Sequence, residues 1–154
     1  MKKKSRTVIM GAGNVLMRDD GIGVHVVRAL CHEGPLPEGV EVLDAGTAAA
    51  DYLAAMGEVS RLIVVDALRG GGEPGTIYQL SPQEIREKPS ARMSLHQMSL
   101  LEALSLSRLT GGAPDEVIII GIEPKTITEG VALSPEVEEK IPKVIKTIVA
   151  LAGA

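Results

Sequence analysis

Short apolar runs alternate with longer stretches of helical periodicity along the chain. The runs TVIMG (7–11), VEVLDAG (40–46), RLIVVDA (61–67), GTIYQL (75–80) and EVIIIGI (116–122) have the length and β-branched content of strands. Within LIVV and VIII successive positions are all apolar, as expected for strands covered on both faces of a mostly parallel sheet. GTIYQL alternates more and belongs nearer an edge. Between the runs, a segment from about Gly21 to His32 places Ile22, Val26, Ala29 and Leu30 on one face. Thr47 is positioned to cap a second helix with Ala50, Leu53 and Ala54 inward. Ser94-Leu95-His96-Gln97 has the form of a capping box, which puts His96 in the first turn of a helix reaching about Leu109. The last helix opens at Ser134-Pro135-Glu136, serine as cap and proline at the first position, and continues with Val137, Ile141, Val144, Ile145 and Ile148 on its core stripe. The alternation predicts a three-layer αβα domain with a twisted, mostly parallel five-stranded sheet and helices on both faces. No repeat or linker divides residues 1–154, so one domain is expected.

In such a sheet ligands bind beyond the carboxyl ends of the strands. Asp19 and Asp20 follow the first strand, Asp44 and Asp66 end the second and third, and His96 begins a helix after the fourth, so all can face one rim. Composition narrows what that rim binds. With a net charge of −4, two tyrosines and no tryptophan or phenylalanine, the chain offers neither a basic footprint nor stacking faces, which excludes nucleic acid as the expected partner. A lone Cys31 rules out an internal disulfide framework, and no apolar run is long enough to span a membrane, so a soluble cytoplasmic protein is expected.

GAGNVLMRDDGIG (11–23) opens like a nucleotide-binding turn, but position 16 is leucine where a dinucleotide fingerprint needs its third glycine, and there is no Walker lysine. A phosphate at this helix start would also meet two aspartates. A divalent ion such as nickel, zinc or manganese suits the residues better: Asp20, Asp66 and His96 could supply three ligands and leave positions open. The bland reading of each is a helix-start carboxylate, a turn cap and a solvated first-turn histidine; their convergence on one rim favours the site. Cys31 reads as a small core or boundary residue, His25 and His32 as ordinary helix-surface residues. No Gly-x-Ser-x-Gly elbow is present, so hydrolysis would proceed through water activated by a carboxylate or metal.

GAGNVLMRDDGIG, DAGTAAADYL, LIVVDALRGGGEPGTIYQL, SLHQMSLLEAL, IIIGIEP and LSPEVEEKIPKVI, in this order, resemble the nickel-iron hydrogenase maturation endopeptidases from Thr7 to about Ala150. The resemblance implies a phosphorylase/hydrolase-like αβα fold and a cytosolic processing protease, often classed as aspartic-type. It would remove the C-terminal extension of a hydrogenase large-subunit precursor after nickel insertion. It implies that Asp20, Asp66 and His96 bind nickel carried in by that precursor, with no permanently bound cofactor, though another divalent ion could occupy the site. Asp44, Gly46 and Thr47 match a family loop assigned to substrate positioning. Some relatives carry glutamate where this chain has Asp20, one methylene shorter; Asp19 is a possible substitute, but Asp20 is the residue favoured for the site and Asp19 is expected to orient the turn. A non-catalytic nickel or assembly scaffold and a small-metabolite-binding α/β module are the competing classes. The loops 69–75 and 87–93 are expected to be mobile edges that set specificity.

Overall fold

In a computed structural model the described residues are 5–87 and 95–153, the side chains of Leu95 and His96 excepted. Strands β1 (Thr7–Ala12), β2 (Val40–Gly46), β3 (Arg61–Ala67), β4 (Ile77–Leu80) and β5 (Glu116–Ile122) form one sheet in the order β2-β1-β3-β5-β4. The first four in that order run parallel, and β4 lies antiparallel on β5 at the edge. The edge position expected for the alternating strand is therefore observed. It starts at Ile77 rather than residue 75, because Gly75 is held in a left-handed turn (φ +90°) by the Glu123 carbonyl at 2.8 Å.

Side chains alternate between two cores. Val8, Met10, Leu62, Val64 and Ile119 pack with Leu53, Ile85, Leu100, Leu101 and Leu104 from helices α2 (Ala49–Ala55), α3 (Pro82–Glu87) and α4 (Leu95–Thr110). Ile9, Ile63, Val65, Ile118, Ile120 and Ile122 face α1 (Ile22–Cys31), α5 (Pro135–Glu138) and α6 (Ile141–Ala152) through Ile22, Val26, Leu30, Val137, Val144, Ile145 and Ile148. Apolar residues at consecutive strand positions are thus required, since neither face meets water. The three-layer arrangement is as expected from the sequence.

Several element details differ. Ala48, not Thr47, occupies the cap position of α2; Thr47 is exposed and makes no capping bond, and Ala54 faces solvent. The single last helix is two, α5 and α6, because Pro142 lacks a backbone N–H and its ring crowds the carbonyl four residues earlier, so the helix must end and restart. A further capping box stands at Ser81: its hydroxyl accepts the Glu84 N–H at 3.1 Å while the Glu84 carboxylate accepts the Ser81 N–H at 3.1 Å, starting the unforeseen α3. The capping box expected at Ser94 lies outside the described residues.

Close backbone approach fixes the first helix on the sheet. A Cβ at Gly23 would stand 2.0 Å from the Val65 carbonyl oxygen and 2.5 Å from that of Ala12, so only glycine lets α1 start directly over the ends of β1 and β3. Gly23→Ala must therefore push α1 off two backbone carbonyls. The expected cost is at least about 3 kcal/mol, the upper range of overpacking, read as a fall in the urea midpoint at unchanged m-value.

Candidate active site at the carboxyl ends of the strands

The chain leaves β1 at Gly13, whose φ of +132° is open to glycine, and turns back sharply enough that a Cβ there would stand 2.0 Å from the Asp20 carbonyl oxygen. Asn14 shapes the turn: its side-chain oxygen accepts the Leu16 N–H at 3.0 Å, and its own N–H donates to Asp20 Oδ2 at 3.0 Å. A single 3-10 turn (Arg18–Gly21) then feeds α1, leaving Asp20 buried at the rim. The glycines and asparagine of the opening motif thus bring a carboxylate to the rim.

Asp66 is buried near the end of β3, opposite Gly121 in register, with Oδ1 accepting the Ala67 N–H at 2.7 Å. His96 has its backbone in the first turn of α4, as expected; its side chain lies outside the described residues. The next residue ties that turn to the sheet: Gln97 Nε2 donates to the carbonyl of Ala67, immediately after Asp66. Asp20 and Asp66 therefore share a rim with the start of α4. Among the described residues, His96 apart, no three His, Cys, Asp or Glu side chains gather as a metal set. Buried carboxylates at one rim can accept a proton from water or bind a divalent cation.

Asp19 does different work and is no substitute for Asp20. Its side chain is fully buried and aimed at the segment after β5. Oδ2 accepts the Lys125 N–H (2.9 Å), the Thr126 N–H (2.8 Å) and the Ser134 hydroxyl (2.7 Å), and Oδ1 accepts the Ser134 N–H (2.7 Å). Burial pushes its pKa up, but these donors outweigh burial and hold it below the ordinary carboxylate value. Ser134, expected to cap the last helix, spends its hydroxyl on this carboxylate and makes no capping bond.

The loop after β2 reaches the site through backbone. Asp44 is exposed and pairs with Arg28 of α1 at 3.0 Å, Thr47 is exposed, and Gly46, at φ +53°, accepts the Gly13 N–H at 2.8 Å. Of the three, Gly46 directly braces the turn that carries Asp20.

One buried acid escaped the sequence reading. Glu123 Oε1 accepts the N–H of Gly70 (2.9 Å), the N–H of Gly72 (3.0 Å) and the Tyr78 hydroxyl (2.8 Å). It pins the loop 69–75, which is hydrogen-bonded to the strand ends rather than a free edge. Burial and the bond to Glu123 both raise the Tyr78 pKa. The available signal was an acidic residue directly following the apolar run of residues 117–122 and preceding Pro124. Residues 88–93 of the other loop lie outside the described residues. Cys31 is exposed at the end of α1, not a core or boundary residue. His32 is exposed, whereas His25 is half-buried, its pKa lowered first by burial and then by Arg28.

Comparison with known proteins places this geometry in context. A family model described as hydrogenase maturation protease matches residues 24–151. The chain is 34% identical over 146 residues to the hydrogenase 2 maturation protease of Escherichia coli K12, covering 94% of this chain and 89% of that protein. The solved structure of the hydrogenase maturating endopeptidase HybD from E. coli superposes with a TM-score of 0.85 at 34% identity, covering 95% of this chain and 91% of that one. The nickel-iron hydrogenase maturation protease HybD from Thermococcus kodakarensis gives a TM-score of 0.78 at 31% identity, over 96% and 99% of the two chains.

The Asp19 geometry fixes a pH dependence. Because its folded-state pKa lies below the ordinary value of 3.8, the stability it contributes is fully present above that value and is lost as the pH falls through the folded-state pKa. Asp19→Asn should lower stability by about 2–4 kcal/mol at neutral pH, the scale for breaking buried charge-assisted hydrogen bonds. It should also flatten the acid limb of stability against pH, both measured by urea denaturation from neutrality to acid.

Proposed function

The chain belongs to the hydrogenase maturation protease family, and from that premise we propose that it trims the C-terminal extension from a nickel-iron hydrogenase large-subunit precursor after nickel has been inserted, in the cytoplasm. Membership makes it an endopeptidase; the observation that carries the finer reading is the pair of buried carboxylates, Asp20 and Asp66, held at one rim beside the start of α4. Nickel arrives as part of the substrate, and Asp20, Asp66 and His96 are the groups offered to it. Docked there, the ion places the scissile peptide against the rim. Water attacks the carbonyl carbon, a rim carboxylate accepts the water proton, and that proton passes to the leaving nitrogen as the bond breaks, giving a carboxylate and an amine. No metal need be resident in the free protein. Among the described residues no helix is long and apolar enough to cross a membrane.

Incubating the protein with nickel-loaded precursor separates this reading from a scaffold, which would bind the precursor and release it uncut. Asp66→Asn, Asp20→Asn and His96→Ala should each lower the cleavage rate by about 10²–10⁴-fold, the range for losing a proton-transferring group, with circular dichroism unchanged. Full processing by any one of them removes that residue from the mechanism.

A further inference from the structure

Two large apolar side chains stand in solvent on the segments around the turn that carries Asp20. Leu16 is 63% exposed and Val131 is 68% exposed, although each sits within a hydrogen-bonded segment. Those segments are joined in a short parallel bridge: Met17 pairs with Gly130, the Gly130 N–H donates to the Leu16 carbonyl at 2.9 Å, and the Arg18 N–H donates to the Gly130 carbonyl at 2.9 Å. One segment leads into the 3-10 turn bearing Asp20 and the other follows β5, so the bridge forms a lip on the same rim as the carboxylates.

Arg18 completes the lip. It is the one residue other than glycine with positive φ (+49°) among those described, in a region that costs a side-chain-bearing residue energy unless the surroundings enforce it. Its guanidinium lies over Gly130, where a Cβ would stand 2.7 Å from Arg18 Cζ. The neighbouring Asp19 is committed to Lys125, Thr126 and Ser134, and Asp20 Oδ2 accepts the Asn14 N–H. None of the ion pairs among the described residues includes Arg18. The lip thus carries two exposed apolar side chains and a guanidinium whose carboxylate partner is not supplied by the described residues.

We propose that Leu16, Val131 and Arg18 form the docking lip for the precursor's C-terminal segment, taking an apolar side chain against Leu16 and Val131 and an acidic side chain on the Arg18 guanidinium. The proposal rests on the endopeptidase reading and deepens it by assigning substrate selection to residues outside the nickel-binding set. Apolar burial supplies affinity, and the planar guanidinium, which suits bidentate contact with a carboxylate, supplies register relative to Asp20. A rim containing Asp20 and Asp66 would repel an acidic residue of the substrate, so Arg18 makes tolerable a charge that the rest of the site disfavours.

The test is steady-state cleavage of the nickel-loaded precursor by Leu16→Ser/Val131→Ser, Arg18→Gln, Arg18→Lys and, in parallel, Asp66→Asn. The apolar double variant should raise KM by about tenfold or more, the scale for losing a few buried methylenes, and the loss should fall on KM rather than kcat. Arg18→Gln should also raise KM and should abolish the increase of KM with ionic strength expected of the parent enzyme; Arg18→Lys should restore part of both. Melting temperatures should stay near that of the parent for the exposed Leu16 and Val131 positions, which separates docking from folding. Unchanged KM in the double variant and Arg18→Gln, alongside an inactive Asp66→Asn, overturns the lip and leaves the catalytic assignment standing. Raised KM in the lip variants with an active Asp66→Asn overturns that assignment and supports the lip.

Discussion

A carboxylate with no solvent exposure, Asp19, ties the two halves of the rim together. It leaves the 3-10 turn after β1 and collects hydrogen bonds from Lys125, Thr126 and Ser134, more than one hundred residues further along the chain. An ionised group taken this far out of water would be strongly destabilising without such donors, and with them it is both stabilised and fixed in direction. The consequence reaches its neighbour. Asp20 cannot follow Asp19 toward the segment after β5, because one side chain is already bound there, so the turn presents the second carboxylate to the rim.

The same device recurs around the site. Glu123 holds the glycine-rich loop after β3 through the amides of Gly70 and Gly72, and Gln97 holds the start of α4 to the carbonyl of Ala67. In each case one buried polar side chain connects a loop to a strand end across the sheet. Buried polar groups satisfied in this way rigidify the backbone around them, and a half-satisfied one would cost more than an apolar residue in its place. An endopeptidase gains from that rigidity, since little ordering remains to be done when a substrate arrives. The apolar cores lie beneath the rim and carry the stability, so the rim residues are free to be chosen for chemistry.

What could be read from the sequence follows from where each feature takes its cause. The β3 and β5 boundaries depend on local apolar runs buried on both faces, and these were legible residue by residue, as were those of the half-exposed edge strand β2. The rim position of Asp20 and Asp66 followed from topology, because every parallel strand ends on one side. The partners of Asp19 and the role of Glu123 were not legible: both depend on groups distant in sequence, and a lone carboxylate beside a turn looks alike whether it caps, coordinates or staples. Thr47 misled because its spacing suits a cap while the backbone enters the helix one residue later. Pro142 was a local signal that a strong apolar stripe concealed, and the Ser81–Glu84 capping box was as explicit as the one expected at Ser94.

The shorter reach of Asp20 compared with glutamate has a structural answer in the glycines around it. Gly13 lets the turn close onto the Asp20 carbonyl, and Gly21 fits against Val15, where a Cβ would stand 2.6 Å from the Val15 Cα. Gly23 then lets α1 begin directly on the backbone of β3. Each close approach draws the segment bearing Asp20 down toward the strand ends, so the backbone supplies proximity that a longer side chain would otherwise provide. An aspartate also has one rotatable bond fewer to immobilise, and its Oδ2 is already oriented by the Asn14 N–H. A glutamate in the same turn would extend past this donor and give up that orientation. The acidic residue and its glycines therefore form one solution, in which a tight loop and a short carboxylate together set how far the rim carboxylate reaches.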